Sequence, residues 1–486
     1  MAGFNIETGP FAPTWESLRQ FQCPAWFQEA KFGIWSHWGP QAVPMAGDWY
    51  ARNIYIEGST QNRYHVRKYG HPSKFGYKDI IPQWKAEKFD PEGLMDLYAA
   101  AGARYFMAQA AHHDNFHNWN SRLHRWNAVA MGPKKDILGL WQAAARRRGL
   151  PFGFSEHIGA TFSWYVPAKG ADEFGPYAGV AYDGGDPGYE DLYLPNRGAK
   201  DIRDGEWYTS NPWWHEKWYA YAKELIDVYQ PDLLYSDGGV PFGSYGLNII
   251  AHLYNSSARR HGGDNQAVYT QKDRSAEVFS VGVLDIERSQ QAEIFPYIWQ
   301  TDTSVGDWFY NLLDVYKTPK QIAEMLVDIV SKNGNLLLNI PQRPDGSLDD
   351  ECLFLLQRLA EWMQVNGEGI YATRPWKTAG EGPSRVAIEG FREDAVFWTE
   401  QDFRFTSKDG KVYVFIMHWP ESSQAEQPPA LVIRSLALGS AERVTSLALM
   451  GHAGAVPFEQ SAAGLTVHLP ERKPSAYAQC LCVAFD

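Results

Sequence analysis

Asp237 ends an apolar run, Leu233-Leu234-Tyr235-Ser236, that follows Pro231 and runs into Gly238-Gly239. A short hydrophobic segment between turn signals reads as a buried strand, which puts this carboxylate at the strand's C-terminal tip. Substrates bind at that end of parallel barrels, so Asp237 is a candidate for chemistry; the plain alternative is an Asp that only stabilises its Asp-Gly-Gly turn. Polar strand tips recur. His37 ends Lys31-Phe32-Gly33-Ile34-Trp35-Ser36, His112 and His113 follow the segment 104–110, Glu156 and His157 end the segment 150–155, and Trp299-Gln300-Thr301-Asp302 forms a fifth. Asp48 and Trp49 add an acid and an aromatic face on the loop after His37. Carboxylates, imidazoles and flat rings at one mouth suit carbohydrate hydrolysis. That reaction needs one carboxyl as general acid and another to attack the sugar carbon or to activate water. Asp237 is the first, and Glu287 in Asp285-Ile286-Glu287-Arg288 is the best-placed second, with Glu277 and Glu156 as rivals. For Glu287 the competing reading is a surface salt bridge with Arg288 or Arg274.

These tips need a scaffold that brings them together. Helical patterns at 91–101, 136–148, 214–228, 319–331 and 349–365 alternate with the strands. Pro91 and Gly102 follow the usual asymmetry of helix ends, and basic residues gather late in 136–148, where the helix dipole favours them. Strand, helix, strand, helix, with each strand tip polar, predicts an α/β fold, a (β/α)8-like barrel over residues 1–376. Residues 167–211, rich in Gly, Asp, Pro and Tyr, are expected to form an elaborated loop near the site. After 376 the texture changes to alternating segments such as Lys411-Val412-Tyr413-Val414-Phe415-Ile416, broken by Gly, Pro and Ser. These predict a smaller C-terminal β-sandwich domain over 377–486.

Composition removes several function classes. The 486 residues carry a formal charge of -12 and no basic stripe, which argues against nucleic acid. Aromatic residues make up 15% of the chain, with 20 Trp and 26 Tyr, enough to serve both a large core and sugar-stacking surfaces. No glycine-rich phosphate loop opens a helix, so no cofactor is expected. Cys23, Cys352, Cys480 and Cys482 lack metal-site or disulfide-framework spacing. No His-x-His or His-Glu-x-x-His pattern accompanies the adjacent His112 and His113, and in a regular strand those two would point to opposite faces. No metal is expected. No run of about 18 apolar residues predicts a membrane span. The start, Met1-Ala2-Gly3-Phe4-Asn5-Ile6-Glu7, has no charged segment leading into an apolar run and is not read as a signal peptide; with a leader already removed, the chain would be secreted or periplasmic. Oligomeric state leaves no mark in the sequence.

The ordered motifs resemble those of the α-L-fucosidases of glycoside hydrolase family 29. They are Trp26-Phe27-x-x-Ala30-Lys31-Phe32-Gly33-Ile34-Trp35-x-His37-Trp38-Gly39, Asp48-Trp49-Tyr50, His112-His113-Asp114-x-Phe116-x-x-Trp119-x-Ser121, and Gly132-Pro133-Lys134-x-Asp136. Pro231-Asp232-x-x-x-x-Asp237-Gly238, the segment 330–339 and Tyr371-x-Thr373-Arg374-Pro375-Trp376 continue the series. The resemblance implies a catalytic barrel followed by a β-sandwich, and retaining hydrolysis of terminal α-L-fucosides on oligosaccharides or glycoconjugates. It implies Asp237 as nucleophile and His37, Trp49, His112 and His113 around the sugar, with both histidines entering through irregular strand geometry. It leaves the acid/base to Glu287 and makes Arg274 a weaker sugar contact, with Trp299 at the fifth tip. Three positions depart from the family pattern: Asp48 stands for Glu, Asn115 for Gly, and Ser155-Glu156-His157 where many members carry Tyr. Glu156 or His157 is therefore expected to take over a hydroxyl contact. An α-L-galactosidase, an enzyme for a modified fucose, and a carbohydrate-binding barrel without catalysis are the alternatives.

Overall fold

The computed structural model describes residues 4–486 except 196–206, 276–278, 387, 389–392, 394–395 and 421–429. Eight parallel strands close into a barrel: β1 (Phe32–Ser36), β2 (Tyr105–Ala111), β3 (Phe152–Glu156), β4 (Leu233–Ser236), β5 (Val268–Gln271), β6 (Val283–Asp285), β7 (Trp299–Ser304) and β8 (Gly334–Asn339). Each pairs with its neighbour in sequence, and β8 returns to β1 with Phe32 opposite Leu336 and Trp35 opposite Asn339. All eight are buried along their whole length. That is why they read as short apolar runs rather than alternating ones.

Helices α1 (Pro91–Ala100), α2 (Ile137–Arg147), α3 (Pro212–Tyr229), α4 (Ser244–Arg260), α5 (Pro319–Ser331) and α6 (Asp350–Asn366) are the longest among the described residues. Their starts are written locally. Asp90, Asp136 and Asp349 each accept the N–H three residues on, at 2.8–3.0 Å. Thr318 and Gln321 form a capping box at α5.

Beyond the barrel, β9 (Arg374–Glu381), β10 (Phe403–Lys408), β11 (Lys411–Ile416), β13 (Val444–Leu449) and β16 (Gln479–Phe485) form one antiparallel sheet in the order β13-β16-β11-β10-β9. A second holds β12 (Ala430–Ile433), β15 (Gly464–His468) and β14 (Phe458–Ser461). Phe405 and Val414 of the first pack with Ile433, Leu465 and Val467 of the second in one core, which makes the pair a sandwich. β9 starts at Arg374, so the division expected at 376/377 falls inside a strand. Helix α6 fastens the sandwich to the barrel: Trp362 Nε1 donates to the Ala478 carbonyl at 2.8 Å, and Asn366 Oδ1 accepts the Cys480 N–H at 3.1 Å. The four cysteines are unpaired. Among the described residues no helix is long and apolar enough to cross a membrane.

Candidate active site

The side chains at the C-terminal ends of the barrel strands meet around a cavity of about 310 Å³. Strand alternation decides which of them enter. On β4, Tyr235 and Asp237 share the inner face, while Ser236 between them faces outward and donates to Glu156 Oε1 at 2.6 Å. Glu156, last residue of β3, also faces outward and accepts from Trp218 Nε1 of α3 at 3.0 Å. His157, one residue later, faces inward. By the two-residue period His157 lines the cavity, and Glu156 does not.

Both His112 and His113 line it. The pairing of β2 with β3 shifts register between Gln109 and Ala111, and the chain has left the strand by His112. This irregularity puts the two rings 4.5 Å apart on the same side. Asn115, where the related pattern has Gly, sits at φ 58° and is held by its Nδ2 donating to the Asp191 and Leu192 carbonyls, each at 3.0 Å. Asn tolerates this left-handed backbone, so that departure serves the loop and leaves the cavity untouched. Trp49 also has positive φ, 59°, and its ring joins the wall.

Asp237 is the hub. Lys272 Nζ lies 2.7 Å from its Oδ1, while His113 Nε2 and His157 Nδ1 lie 3.2 and 3.4 Å from its Oδ2. Tyr235 donates to Asp302 Oδ2 at 3.2 Å and approaches Asp237 Oδ1 at 3.4 Å. Burial alone pushes the Asp237 carboxyl upward. The Lys272 ammonium and the His113 and His157 rings outweigh it and hold the group well below the ordinary carboxylate range. The same ammonium donates to Glu287 Oε2. Glu287 moves the other way: burial, with Asp302 and Asp237 nearby, raises it despite Lys272. Asp48 is pushed well above the usual range by burial and by Asp307. Burial, reinforced by neighbouring imidazoles, keeps His37 and His112 neutral.

The His112 tautomer follows from its neighbour. Ala51 N–H donates to Gln41 Oε1 at 3.2 Å, which turns Gln41 Nε2 toward His112 Nδ1 at 2.9 Å. His112 therefore carries its proton on Nε2, 3.7 Å from Asp48 Oδ1. His37 Nδ1, His157 Nε2, Asp48 Oδ1 and Asp302 Oδ1 are buried without a hydrogen-bond partner among the described residues. A ring of such groups fits a small polyhydroxylated ligand, whose hydroxyls both donate and accept. His37, His112 and His157 also bring nitrogens within 4.8 Å of one another, a spacing that could hold a metal ion. Gln41 donates to one nitrogen of His112 and so leaves a proton on the other, which cannot then ligate, so hydroxyl recognition suits the set better.

The other expected residues are elsewhere. Trp299 opens β7, at the opposite end of the barrel from the mouth, and donates from Nε1 to the Lys332 carbonyl at 2.9 Å. Asp302, three residues on, reaches the cavity instead. Arg274 is exposed on the loop after β5 and is no part of the wall. Glu277 lies outside the described residues. Lys272, Tyr235, Trp35, Trp207 and Trp308 also line the cavity and were not singled out from sequence as site residues, whereas Asp302 belongs to the fifth polar tip. Two carried a usable signal: Tyr235 stands two residues before Asp237 on one strand, and Lys272 directly follows β5, a strand tip of the same kind as the others.

Comparison with known proteins places this geometry. The family model described as Alpha-L-fucosidase matches residues 3–368, and that for the Alpha-L-fucosidase C-terminal domain matches 396–484. The chain belongs to the alpha-L-fucosidase family. It is 30% identical over 481 residues to the tissue alpha-L-fucosidase of Rattus norvegicus, covering 96% of this chain and 90% of that one. Against the human tissue enzyme the identity is 29% over 478 residues, with 96% and 89% covered. Among solved structures, the Thermotoga maritima alpha-fucosidase superposes with a TM-score of 0.75 at 26% identity, over 98% of this chain and 100% of that one. His37, Trp49, His112, His113 and Asp237 of the motifs, together with Asp48 at a departing position, all line this cavity.

Proposed function

We propose that the protein is a retaining exo-α-L-fucosidase that removes terminal α-L-fucose from oligosaccharides or glycoconjugates, with Asp237 as nucleophile and Glu287 as acid/base. One observation carries the reading: the Lys272 ammonium bonds to both carboxyl groups. Two oxygens sharing one nitrogen lie no farther apart than two hydrogen-bond lengths. That nearest-oxygen spacing is compatible with the close carboxyl pair, about 5–5.5 Å apart, used in retaining hydrolysis. The opposed shifts supply the division of labour, an ionised Asp237 and a Glu287 that keeps its proton more readily.

In the first step Asp237 attacks the anomeric carbon and the bond to the leaving oxygen breaks as that oxygen takes the Glu287 proton. The product is a fucosyl ester on Asp237 and a free alcohol. Glu287, now ionised, draws a proton from water, whose oxygen attacks the same carbon from the opposite face; fucose leaves with its α configuration and both carboxyl groups return to their starting forms. His37, His112 and His157 hold hydroxyls through the nitrogens left open, and Trp49 offers an apolar face. A cavity of about 310 Å³ accommodates roughly one sugar, which favours terminal residues.

The test is hydrolysis of an aryl α-L-fucoside beside the aryl α-L-galactoside, with NMR of the first-formed sugar. Rapid release of the α anomer of fucose is expected. First-formed β-fucose would refute retention, and turnover of the galactoside alone would change the sugar.

A further inference from the structure

Glu287 faces two spaces. It lines the sugar cavity, and together with Trp308 it also lines an open groove of about 580 Å³ bounded by Arg288, Asp307, Asp314, Val315 and Lys317. We propose that this groove is the seat of the leaving group, and that it selects an aglycone presenting an apolar face next to the glycosidic oxygen. The inference rests on Glu287 being the acid of the proposed reaction.

The argument begins with proton transfer. The group that protonates the leaving oxygen must lie within hydrogen-bond reach of it, so the rest of the aglycone extends from the sugar on the Glu287 side. The groove is the space that continues from the cavity past that carboxyl. Its chemistry comes from the loop after β7. Leu312, Leu313 and Val315 are 61%, 90% and 87% exposed, three large apolar side chains in four residues. Clustered exposed apolar residues on a soluble surface mark a binding site more often than chance. Their backbone is tied down. Leu312 N–H donates to the Met45 carbonyl at 3.1 Å, Ala46 and Asn311 form an antiparallel bridge, and Lys317 N–H donates to the Val305 carbonyl at 2.7 Å. Asp314 caps the turn, taking the Asp307 N–H on one oxygen and the Val315 N–H on the other. Of the three, Val315 lines the groove, on a loop held in a fixed position and knitted to the segment that delivers Asp48 and Trp49 to the sugar. The polar side of the groove is largely spent within the protein: Arg288 stacks over Trp308 at 5.0 Å and donates to the Gly306 carbonyl at 2.7 Å, and Lys317 pairs with Glu393 at 2.8 Å. Selection therefore falls to Val315 and the Trp308 ring in the lining rather than to a charge.

The test compares kcat/KM for octyl α-L-fucoside with that for α-L-fucosyl fluoride, whose leaving group is one atom and cannot reach Val315. In Val315→Ser and, independently, Val315→Asp, the octyl-to-fluoride ratio is expected to fall about fivefold to tenfold from wild type, as loss of an apolar contact does in other enzymes. A ratio unchanged in both variants, while wild type turns over both substrates, overturns the groove assignment alone. A wild-type protein that hydrolyses neither compound overturns it together with the fucosidase reading.

Discussion

At the scale of single residues, the site is organised by one lysine. Lys272 holds Asp237 low, limits how far Glu287 rises, and sits 5.4 Å from the Tyr235 ring centroid. Its backbone N–H donates to the Gly238 carbonyl at 2.6 Å, so the turn after Asp237 helps fix it. Lys272→Met removes the cation while keeping the stem. Both carboxyl groups then lose the partner that lowers them, so both limbs of the kcat/KM pH profile should move to higher pH, with about a hundredfold lower maximum. A profile that stays in place would show that Lys272 does not set either group. Glu287→Ala has a different signature. It should slow substrates with poor leaving groups far more than activated aryl fucosides, because only the former need the acid; equal loss on both would take that role from Glu287.

At the scale of elements, a two-residue period separates function from support. Glu156 and His157 are neighbours in sequence, yet one bonds to α3 behind the sheet and the other faces Asp237. Burial raises Glu156 to about 7. A carboxyl raised in the folded state stabilises the fold fully below its unfolded value, and that contribution is lost as pH rises through about 7. The stability difference between wild type and Glu156→Gln should therefore vary across pH 4.5 to 7.5 in urea titrations, wild type losing ground as pH rises. A difference that is flat with pH would mean Glu156 ionises freely. The alternating strand and helix signals were enough to read the barrel, since runs such as Leu233-Leu234-Tyr235 are buried on both faces. Asp237, His37 and Asp48 were legible because strand tips and aromatic-acid pairs are local patterns. Trp299 was misplaced because an apolar run shows where a strand is but not which residue ends it. Lys272 was missed because β5 spans only Val268–Gln271 and carries a weak apolar signal. The double entry of His112 and His113 depends on the β2 register shift, which no local pattern reveals.

At the scale of the whole molecule, the barrel and the sandwich share a buried charge cluster. Asp328 on α5 accepts from Lys332 at 2.7 Å and from Arg404 of β10. Burial would raise Asp328, but Lys332 and Arg404 together hold it below its ordinary value. Its contribution is present above the unfolded carboxylate range and is lost as pH falls through the lowered value. Asp328→Ala strands two cations and should cost about 3–5 kcal/mol, read as a fall in thermal midpoint near neutral pH. An unchanged midpoint would show that the cluster does not couple the two parts. The formal charge of -12 disfavours a polyanionic partner.

The most direct test of the central claim is chemical rescue at Asp237. Asp237→Ala should lose nearly all hydrolysis of an aryl α-L-fucoside, and azide should restore turnover with β-L-fucosyl azide as product, because the small anion attacks from the face the carboxylate occupied. Near-wild-type hydrolysis by Asp237→Ala without azide would contradict the assignment.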